Sequence, residues 1–351
     1  MTYFAPFAVA HATGRSADHA DLLTRGSYEE RCVVERSAVS HHWLGRHCPV
    51  DELQSQLKAG QWCVFGVPVS YDYPDGTRGG MGPLLIRKSL PFLWAGFPRL
   101  LWDWTSDRVV ETATQLPLDL GDIPYDRRLD RACDVEERIA SAASDIARLG
   151  GRPLVLGGEH WLTYPVLRGM TEHIGPVYVV HFDAHSDTHR SSIPRGRKPS
   201  LRNSNVMTFV ESLDGIERIL QIGLREYDLA VEVNNLGASD KCIVISADEV
   251  TARLDKNDGV YSAVPEGARV YVTIDADVLD PAFAPEVGWP VPGGLTVMQL
   301  FRLLRELRQR NEIIGLDLVE VMGTEQGLNR AALAMARCAL ALVVESIDLG
   351  D

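Results

Sequence analysis

The chain has 351 residues, of which 45% are hydrophobic and 24% charged, so it is long enough to bury a large core as one big domain or two small ones. Its formal net charge of −13 argues against a nucleic-acid partner, which needs a basic face, but is compatible with a small cationic substrate. No stretch approaches the roughly 20 apolar residues that span a bilayer, so no membrane partner is expected.

The six cysteines are scattered, and no two of them form a Cys-x-x-Cys pair. In a long chain this pattern is typical of reduced cysteines in a cytosolic protein. The N-terminus lacks the basic start and the continuous apolar run of a signal peptide. The sequence therefore predicts a cytoplasmic protein.

Residues 1–60 are rich in His, Ser, Arg and Glu and contain no obvious strand. We predict that they form an N-terminal extension of loops and short helices, which wraps the main body or a neighbouring subunit. A catalytic domain over residues 61–351 would follow. In that part of the chain, short apolar runs alternate with helical patterns.

The predicted strands are "WCVFGV" (62–67), "LPLDLGDI" (116–123), "PLVLGG", "PVYVVHFDAH", "ERILQIGL", "KCIVISADEV", "ARVYVTIDADVLD" and "EIIGLDLVEV". The predicted helices lie in "GPLLIRKSLPFLW", in "DRACDVEERIASAASDIARLG", from about Leu162, across 296–310 and across roughly 328–346. This alternation is typical of an α/β protein. We expect a single domain with a central, mainly parallel β-sheet and helices on both faces.

Ionisable residues follow three of these strands. In an extended chain, alternate residues point the same way, so the Asp and His residues of "FDAHSD" can converge on one point, as can the two Asp of "IDAD". Sites in open parallel sheets form outside the carboxyl ends of the strands. One edge of the sheet is thus predicted to gather four carboxylates and two imidazoles: His160, Asp183, His185, Asp187, Asp275 and Asp277.

Four carboxylates in close contact raise each other's pKa, at a cost on the order of several kcal/mol, and divalent cations remove that cost. Asp and His ligands without Cys favour Mn²⁺, with Zn²⁺, Ni²⁺ or Fe²⁺ possible. Six ligands exceed what one ion with open positions needs, so the sequence favours a pair of ions about 3.5–4 Å apart. The ligand set is complete without His181 and His189, which we expect to have structural or supporting roles.

The segments "GGEH", "DAHSD" and "TIDADVLDPAFAP" resemble the three signature motifs of the ureohydrolase family, which includes arginases, agmatinases, guanidinobutyrases and formimidoylglutamases. "GVPVSYDYPDGTRGGMGPLLIR", "DLGDIPY", "IGLR", "PGGLT" and "GLDLVEV" agree with it, and the likeness covers about residues 60–350. The resemblance implies an arginase-like fold and metal-dependent hydrolysis of C–N bonds in linear amidines. It also implies a trimer or hexamer, of identical or related subunits.

The resemblance also implies residue roles. One ion would be bound by His160, Asp183, Asp187 and Asp275, and the other by Asp183, His185, Asp275 and Asp277, so that two carboxylates bridge the ions. Asp187 would orient the attacking hydroxide. Glu320 would pair with the guanidinium or amidinium of the substrate, whose planar fork suits a carboxylate. Two ions per chain are expected, with manganese the first choice and nickel, used by some guanidine-active relatives, the second.

Three positions depart from the family pattern. Asn205 stands where arginases and agmatinases carry a His that is proposed to shuttle protons, and Asn cannot relay a proton. Formimidoylglutamases often carry Asn there. Trp289 replaces a small hydroxyl residue, and Trp161 follows His160, where Ser is common. Each Trp either packs in the core or forms a pocket wall that faces a planar cation.

These departures argue against an arginase. We expect a substrate that is a simple guanidine, a guanidino acid, a formimino compound or a substituted (bi)guanide, bound with the help of Asn205, Trp161 and Trp289. Three alternatives stay open. The chain could be a formimidoylglutamase-like hydrolase, a weakly active or silent subunit that supports an active partner, or an amide hydrolase of related architecture with a single ion.

Overall fold

The computed structural model describes residues 46–71, 79–93, 100–103, 108–111, 117–126, 129–189, 200–227, 240–256, 258–324 and 326–343. Within these residues, nine strands form one sheet in which every neighbouring pair is parallel. Two further strands form a separate antiparallel hairpin. The parallel sheet is the α/β architecture that the alternating pattern predicts.

The strands have these bounds: β1 Arg46–His47, β2 Trp62–Val67, β3 Leu100–Asp103, β4 Arg108–Glu111, β5 Leu118–Asp122, β6 Arg152–Gly157, β7 Val177–Phe182, β8 Ile216–Leu224, β9 Cys242–Ser246, β10 Arg269–Asp275 and β11 Glu312–Val319. The helices are α1 Leu53–Gln56, α2 Gly82–Leu93, α3 Ala132–Arg148, α4 Thr163–Thr171, α5 Val206–Glu211, α6 Ala247–Lys256, α7 Val297–Arg310 and α8 Arg330–Val343. Short 3-10 turns occur between them.

The strand order across the sheet is β1-β5-β2-β6-β11-β10-β7-β8-β9. The four central strands, β6, β11, β10 and β7, are therefore neighbours although β11 comes near the end of the chain. Their carboxyl ends lie side by side, as they must in a parallel sheet. This edge is the one to which the motif residues were assigned.

Both faces of the sheet are covered by helices. On one face, Val270, Val272 and Ile274 of β10 belong to an apolar core that includes residues of α2, α6, α7 and α8. On the other face, Tyr271 belongs to a second core with residues of α3, α4 and α5. Successive side chains of a strand point to opposite faces, so β10 contributes to both cores.

The predicted N-terminal extension is described only from residue 46 onward. There β1 pairs with β5 at the edge of the sheet, with Arg46 opposite Leu118. Cys48 and Leu53 are buried in the core. The last part of the predicted extension thus contributes to the sheet and to its packing. The division of the chain at residue 60 stays a prediction.

The two glycines before the first motif histidine permit close backbone approach. A Cβ on Gly157 would lie 2.6 Å from Cγ1 of Val319, and one on Gly158 would lie 2.2 Å from the carbonyl oxygen of Val69. Real Cβ atoms do not make such contacts, so only glycine brings the end of β6 this near to β11 and to the segment that follows β2. No helix in the described part of the chain has the length and apolar character needed to span a bilayer.

Candidate metal centre

Four adjacent strands deliver the motif residues to one place. His160 follows β6, Asp183 follows β7 directly, Asp275 is the last residue of β10, and Glu320 follows β11. All four side chains are buried, with at most 5% of the surface of any of them exposed. The remaining motif residues, His185, Asp187 and Asp277, lie within five residues of a strand end.

His160 faces three carboxylates. Its Nδ1 lies 3.2 Å from Oδ2 of Asp183, 3.1 Å from Oδ2 of Asp187 and 3.3 Å from Oδ2 of Asp275. Although this nitrogen is fully buried, it makes no well-directed hydrogen bond. A nitrogen and three oxygens that converge without bonding to one another suit a cation at their centre.

His185 forms a second cluster beside the first. Its Nδ1 lies 3.0 Å from Oδ2 of Asp277 and 3.4 Å from Oδ1 of Asp183. The backbone N–H of Asp277 donates to Oδ1 of Asp275 at 2.9 Å, which holds the two carboxylates of "IDAD" together. The two clusters therefore contact each other through Asp183 and Asp275.

Asp183 turns one oxygen to each cluster. Its Oδ2 faces His160 and its Oδ1 faces His185. The same carboxylate is fixed from outside, because the backbone N–H of His185 donates to Oδ1 at 2.7 Å and His181 contacts Oδ2 at 2.7 Å. A carboxylate with its two oxygens divided in this way is suited to bridge two cations.

The cluster concentrates buried negative charge that a bound cation would stabilise. Burial, and then the charges of Asp277 and Asp183, raise the pKa of Asp275 well above its ordinary value. Burial opposes the charged form of His185, yet hydrogen bonds with Asp183 and Asp277 raise its pKa from 6.5 to about 12. Both shifts have the same origin, since negative charge is concentrated in a buried space. Divalent cations fit these residues, because they neutralise that charge.

Asp187 and Glu320 are the two described non-glycine residues with φ in the left-handed region, at 50° and 62°. Such a conformation costs about 1–3 kcal/mol for residues of this kind and persists only where surrounding contacts enforce it. Both side chains are buried. The strain occurs at two positions to which the sequence assigns catalytic roles, as is common at functional sites.

Glu320 is anchored to the metal-facing residues. Its backbone N–H donates to the carbonyl oxygen of Gly158, and its Oε1 accepts from the backbone N–H of His160, both at 2.8 Å. Its charge is also near enough to contribute to the raised pKa of Asp275. The carboxylate predicted to bind the substrate is thus held beside the predicted metal ligands.

His181 supports the cluster. The side-chain amide of Gln221 approaches its Nδ1 at 3.0 Å and also donates to the carbonyl oxygen of Ser186. An amide N–H at Nδ1 leaves the proton of the neutral ring on Nε2, 2.7 Å from Oδ2 of Asp183. This placement supports the predicted supporting role of His181. His189 is half-buried, and its backbone N–H donates to the carbonyl oxygen of Ser204.

The side chain of Asn205 is used by its own loop. Its Oδ1 accepts from the backbone N–H of Arg202 at 2.9 Å, and its Nδ2 donates to the carbonyl oxygen of Ser200 at 3.0 Å. The residue is buried at the start of α5. These bonds indicate a structural contribution, and a catalytic or substrate-binding role for Asn205 stays a prediction.

The two tryptophans occupy different environments. Trp161 is 3% exposed, its indole N–H donates to Glu159 at 3.1 Å, and its ring packs against Tyr71. This placement supports the packing alternative for Trp161. Trp289 is 70% exposed, in the segment that follows the third motif, so its ring is accessible to a ligand from solvent.

The structure also shows contributions that the motifs do not predict. Gln221 orients His181, Thr273 contacts His160, and Asp317 lies buried behind Thr273. The guanidinium of Arg225 donates to the carbonyl oxygens of Asp277 and Val291, each at 2.6 Å. In the sequence, each of these residues is an isolated polar residue inside or just after an apolar strand. That position indicates a buried polar group but does not reveal which residue it contacts.

Known proteins that are similar in sequence to this chain belong to one enzyme family. A family model described as the arginase family matches residues 61–344. The agmatinase of Escherichia coli O9:H4 (strain HS) is 32% identical over 288 residues, which cover 80% of this chain and 86% of that relative.

Solved structures share the fold. The crystal structure of a hypothetical agmatinase from Burkholderia thailandensis matches with a TM-score of 0.64 at 27% identity, covering 81% of this chain and 85% of that one. Formimidoylglutamase from Bacillus subtilis subsp. subtilis str. 168 matches with a TM-score of 0.68 at 18% identity, covering 96% and 95%. At that identity the second likeness concerns the fold alone. Together, the family match, the curated relative and the clustered motif residues show that this chain belongs to the arginase family and is a hydrolase of C–N bonds.

Proposed function

We propose that this protein is a binuclear metal hydrolase that cleaves a C–N bond of a guanidino or amidine compound, and that it is not an arginase. The observation that carries the proposal is the division of the Asp183 carboxylate between His160 and His185. A single-ion site would not need a carboxylate that presents one oxygen to each of two histidines.

Six residues would hold the ions. The first ion would be held by His160, Asp183, Asp187 and Asp275, and the second by Asp183, His185, Asp275 and Asp277. When bound, the pair supplies Lewis-acid polarisation and activation of water at neutral pH. Manganese is the first choice, because carboxylate oxygens outnumber the two imidazoles, and nickel is the second.

The protein's own residues supply orientation and proton handling. Asp187 holds one carboxylate oxygen 3.1 Å from Nδ1 of His160, and in this position it accepts a proton from the attacking water and returns it to the leaving amine. Glu320, fixed by the backbone N–H of His160, pairs with the cationic substrate. Asn205 cannot titrate, so the proton does not pass through that position.

The substrate is a compact or alkyl-substituted cation rather than a zwitterionic amino acid. Trp289 presents an exposed aromatic face, which favours a planar cation by stacking or cation–π contact. The net charge of −13 also favours a cationic substrate. The scattered cysteines support a cytoplasmic location, and the family likeness supports a trimer or hexamer of identical or related subunits.

Metal content and substrate range test the proposal together. Elemental analysis of the purified chain should give two divalent ions per chain, with reconstitution by Mn²⁺ and by Ni²⁺ deciding between them. The substrate panel is L-arginine, agmatine, 4-guanidinobutyrate, guanidine, formiminoglutamate and N,N-dimethylbiguanide, with urea, ammonia, formamide and amine release measured.

The outcomes separate the candidates. A guanidino or biguanide compound should give the highest kcat/KM, and L-arginine little or none. If formiminoglutamate is preferred, the chain is a formimidoylglutamase. One ion per chain favours the single-ion amide hydrolase, and two ions without turnover of any compound favour the silent subunit.

A further inference from the structure

A row of buried side chains leads away from His160 on the side opposite its metal-facing nitrogen. Nε2 of His160 lies 2.9 Å from Oγ1 of Thr273, which lies 3.3 Å from Oγ1 of Thr163. Thr163 donates to Oδ2 of Asp317 at 3.0 Å, and the hydroxyl of Tyr271 donates to the same oxygen at 2.7 Å. All five residues have 0% exposure.

The fold fixes the members of this row with respect to one another. Thr273 and Asp317 are opposite partners on the adjacent strands β10 and β11. Tyr271 lies two residues before Thr273 and therefore on the same face of the sheet. Thr163 is the first residue of α4, which packs on that face. The row is thus built from rigid elements.

A buried carboxyl group at this place is costly. Burial raises the pKa of Asp317, and the charge of His160 and then hydrogen bonds from Thr273, Tyr271 and Thr163 oppose the rise. Apolar side chains surround the row, and a residue such as Leu would avoid the desolvation cost altogether. The polar group therefore calls for an explanation other than packing.

The directions of the hydrogen bonds provide that explanation. To bind a metal through Nδ1, His160 must carry its proton on Nε2 and donate it to Oγ1 of Thr273. Thr273 can accept that proton only if its own hydroxyl hydrogen points elsewhere. The carboxyl group of Asp317 accepts the hydroxyl hydrogen of Thr163. Oγ1 of Thr163 can then accept the hydroxyl hydrogen of Thr273, which therefore points away from His160. Oδ2 of Asp317 can accept a hydroxyl hydrogen whether or not the carboxyl is ionised.

We propose that Asp317 is a positioning residue that acts through Thr163 and Thr273 to fix the tautomer and ring orientation of His160. In this way it sets the affinity of one of the two ions. The inference rests on the proposed function, because it needs a metal at His160. The other ion is independent of the row, since Nε2 of His185 faces Glu226, at 3.7 Å, instead.

The first test compares Thr273→Val with Thr273→Ser. Valine has the shape of threonine without the acceptor, whereas serine restores it. Each chain is stripped with a chelator, and Mn²⁺ binding is measured by competition with a fluorescent chelator. Thr273→Val should keep one ion at wild-type affinity and bind the other about 10–100-fold more weakly, the usual effect of losing an outer partner of a metal ligand. Thr273→Ser should remain close to wild type.

The second test concerns the far end of the row. Asp317→Leu removes the acceptor, whereas Asp317→Asn keeps an oxygen that can accept in its place. Of these two variants, only Asp317→Leu should bind one of the two ions more weakly, to an extent similar to that in Thr273→Val. Electron paramagnetic resonance of samples with two equivalents of Mn²⁺ per chain should then show isolated ions in Asp317→Leu and an exchange-coupled pair in the wild type and in Asp317→Asn.

Tyr261 provides a matched control for Tyr271. Both are fully buried tyrosines with a bonded hydroxyl, but that of Tyr261 donates to the carbonyl oxygen of Leu303, away from the row. Tyr271→Phe should lower the affinity for one of the two ions, whereas Tyr261→Phe should leave the affinity for both ions unchanged. In a His160→Asn chain, addition of Thr273→Val should cause no further loss, because the row then has nothing to position.

Three results would overturn the inference. These are unchanged affinity for both ions in Thr273→Val, equal weakening of both ions, or the same weakening in Tyr261→Phe as in Tyr271→Phe. If Asp317→Leu does not fold, the Thr273 and Tyr271 variants still decide. A wild-type chain that binds no metal, or one ion only, would contradict the proposed function instead, so the two failures are distinguishable.

Discussion

Glu320 combines a left-handed backbone, near-complete burial and a hydrogen bond to His160, the residue proposed to hold the first ion. A simple helix cap would need none of these features. The strained conformation aims the carboxylate back over the end of β6, toward His160. Substitution of Glu320 should therefore affect substrate binding without disrupting the cluster of predicted metal ligands.

Glu320→Gln should keep the fold and both ions but lower kcat/KM about 10–100-fold, mainly through KM. The neutral amide gives up a charge-assisted pairing worth about 1.5–3 kcal/mol with a cationic substrate. Steady-state kinetics and elemental analysis measure the two effects. Glu286→Gln is the control, since Glu286 accepts from the backbone N–H of Ala331 at the start of α8. Equal kinetics in both variants would assign Glu320 a structural role.

The histidines make the stability of the stripped protein depend on pH. The pKa of His185 is raised in the folded chain, so its protonation stabilises the fold fully below about 6.5, and this contribution is lost as pH rises toward 12. Without metal, the Tm should fall steadily between pH 6.5 and 9.

Bound ions should change this pH dependence. Divalent cations replace the protons on the histidines, so the Tm of the loaded protein should vary less over the same pH range. Calorimetry of the stripped and loaded protein at several pH values measures both trends. A stripped protein whose Tm rises with pH would contradict this account of the cluster.

At the scale of elements, Arg225 connects the end of β8 to the segment that follows the third motif. Besides its bonds to Asp277 and Val291, its guanidinium donates to the carbonyl oxygens of Gly223, Val278 and Leu279, each at 3.3 Å. Burial lowers the pKa of this guanidinium, although the nearby carboxylates oppose the shift. One side chain thus holds residues 277–291, which include the exposed Trp289.

Arg225→Met should loosen this segment. The freed carbonyl groups lose their donor, so we expect a lower Tm, faster protease cleavage within residues 281–294, and a rise in KM that exceeds the change in kcat. Arg253→Met is the control, because Arg253 pairs with Glu249 on the surface of α6. If both variants were cleaved at the same rate, Arg225 would not be the residue that holds the segment.

The long buried elements of this fold can be predicted from the sequence, whereas the short ones cannot. Apolar runs such as β6 and β10 stand out because both faces are buried. By contrast, β1 has two residues and α5 six, too few for a periodic pattern, and the β3–β4 hairpin was not expected. The prediction of one strand over "KCIVISADEV" is wrong after Ser246, because the chain changes to helix at Ala247, where acidic residues occupy the first turn.

Part of the candidate site could likewise be predicted from the sequence, and part could not. The residues of "DAHSD" and "IDAD" could be placed together because alternation and parallel strand ends determine their positions. The links from Gln221 to His181 and from Asp317 to Thr273 could not be predicted. They depend on which strands are neighbours and on their register, and an isolated polar residue in an apolar run reveals neither.

At the scale of the molecule, the ions would connect parts of the chain that are remote in sequence. Asp275 takes part in both clusters, directly at His160 and through the backbone of Asp277. The free energy of metal binding therefore adds to the free energy of folding.

Mn²⁺ should raise the Tm of the stripped wild-type protein by several degrees and should raise that of Asp275→Ala much less. Asp275→Ala should also lose activity and most of its metal, because a shared carboxylate is missing and fewer ligands remain for each ion. Calorimetry and elemental analysis on the same samples test this. A variant that held both ions and turned over normally would refute the assignment of Asp275.

The position of β11 has a consequence for synthesis of the protein. This strand lies between β6 and β10, yet it comes after all six predicted ligands in the chain. A nascent chain that ends before Glu312 carries every ligand but lacks the strand that spaces His160 from Asp275. We therefore expect that the cluster can close around metal ions only after the ribosome has released the chain beyond Val319. Chains that end before β11 are expected to expose the apolar flanks of β6 and β10 to chaperones and proteases.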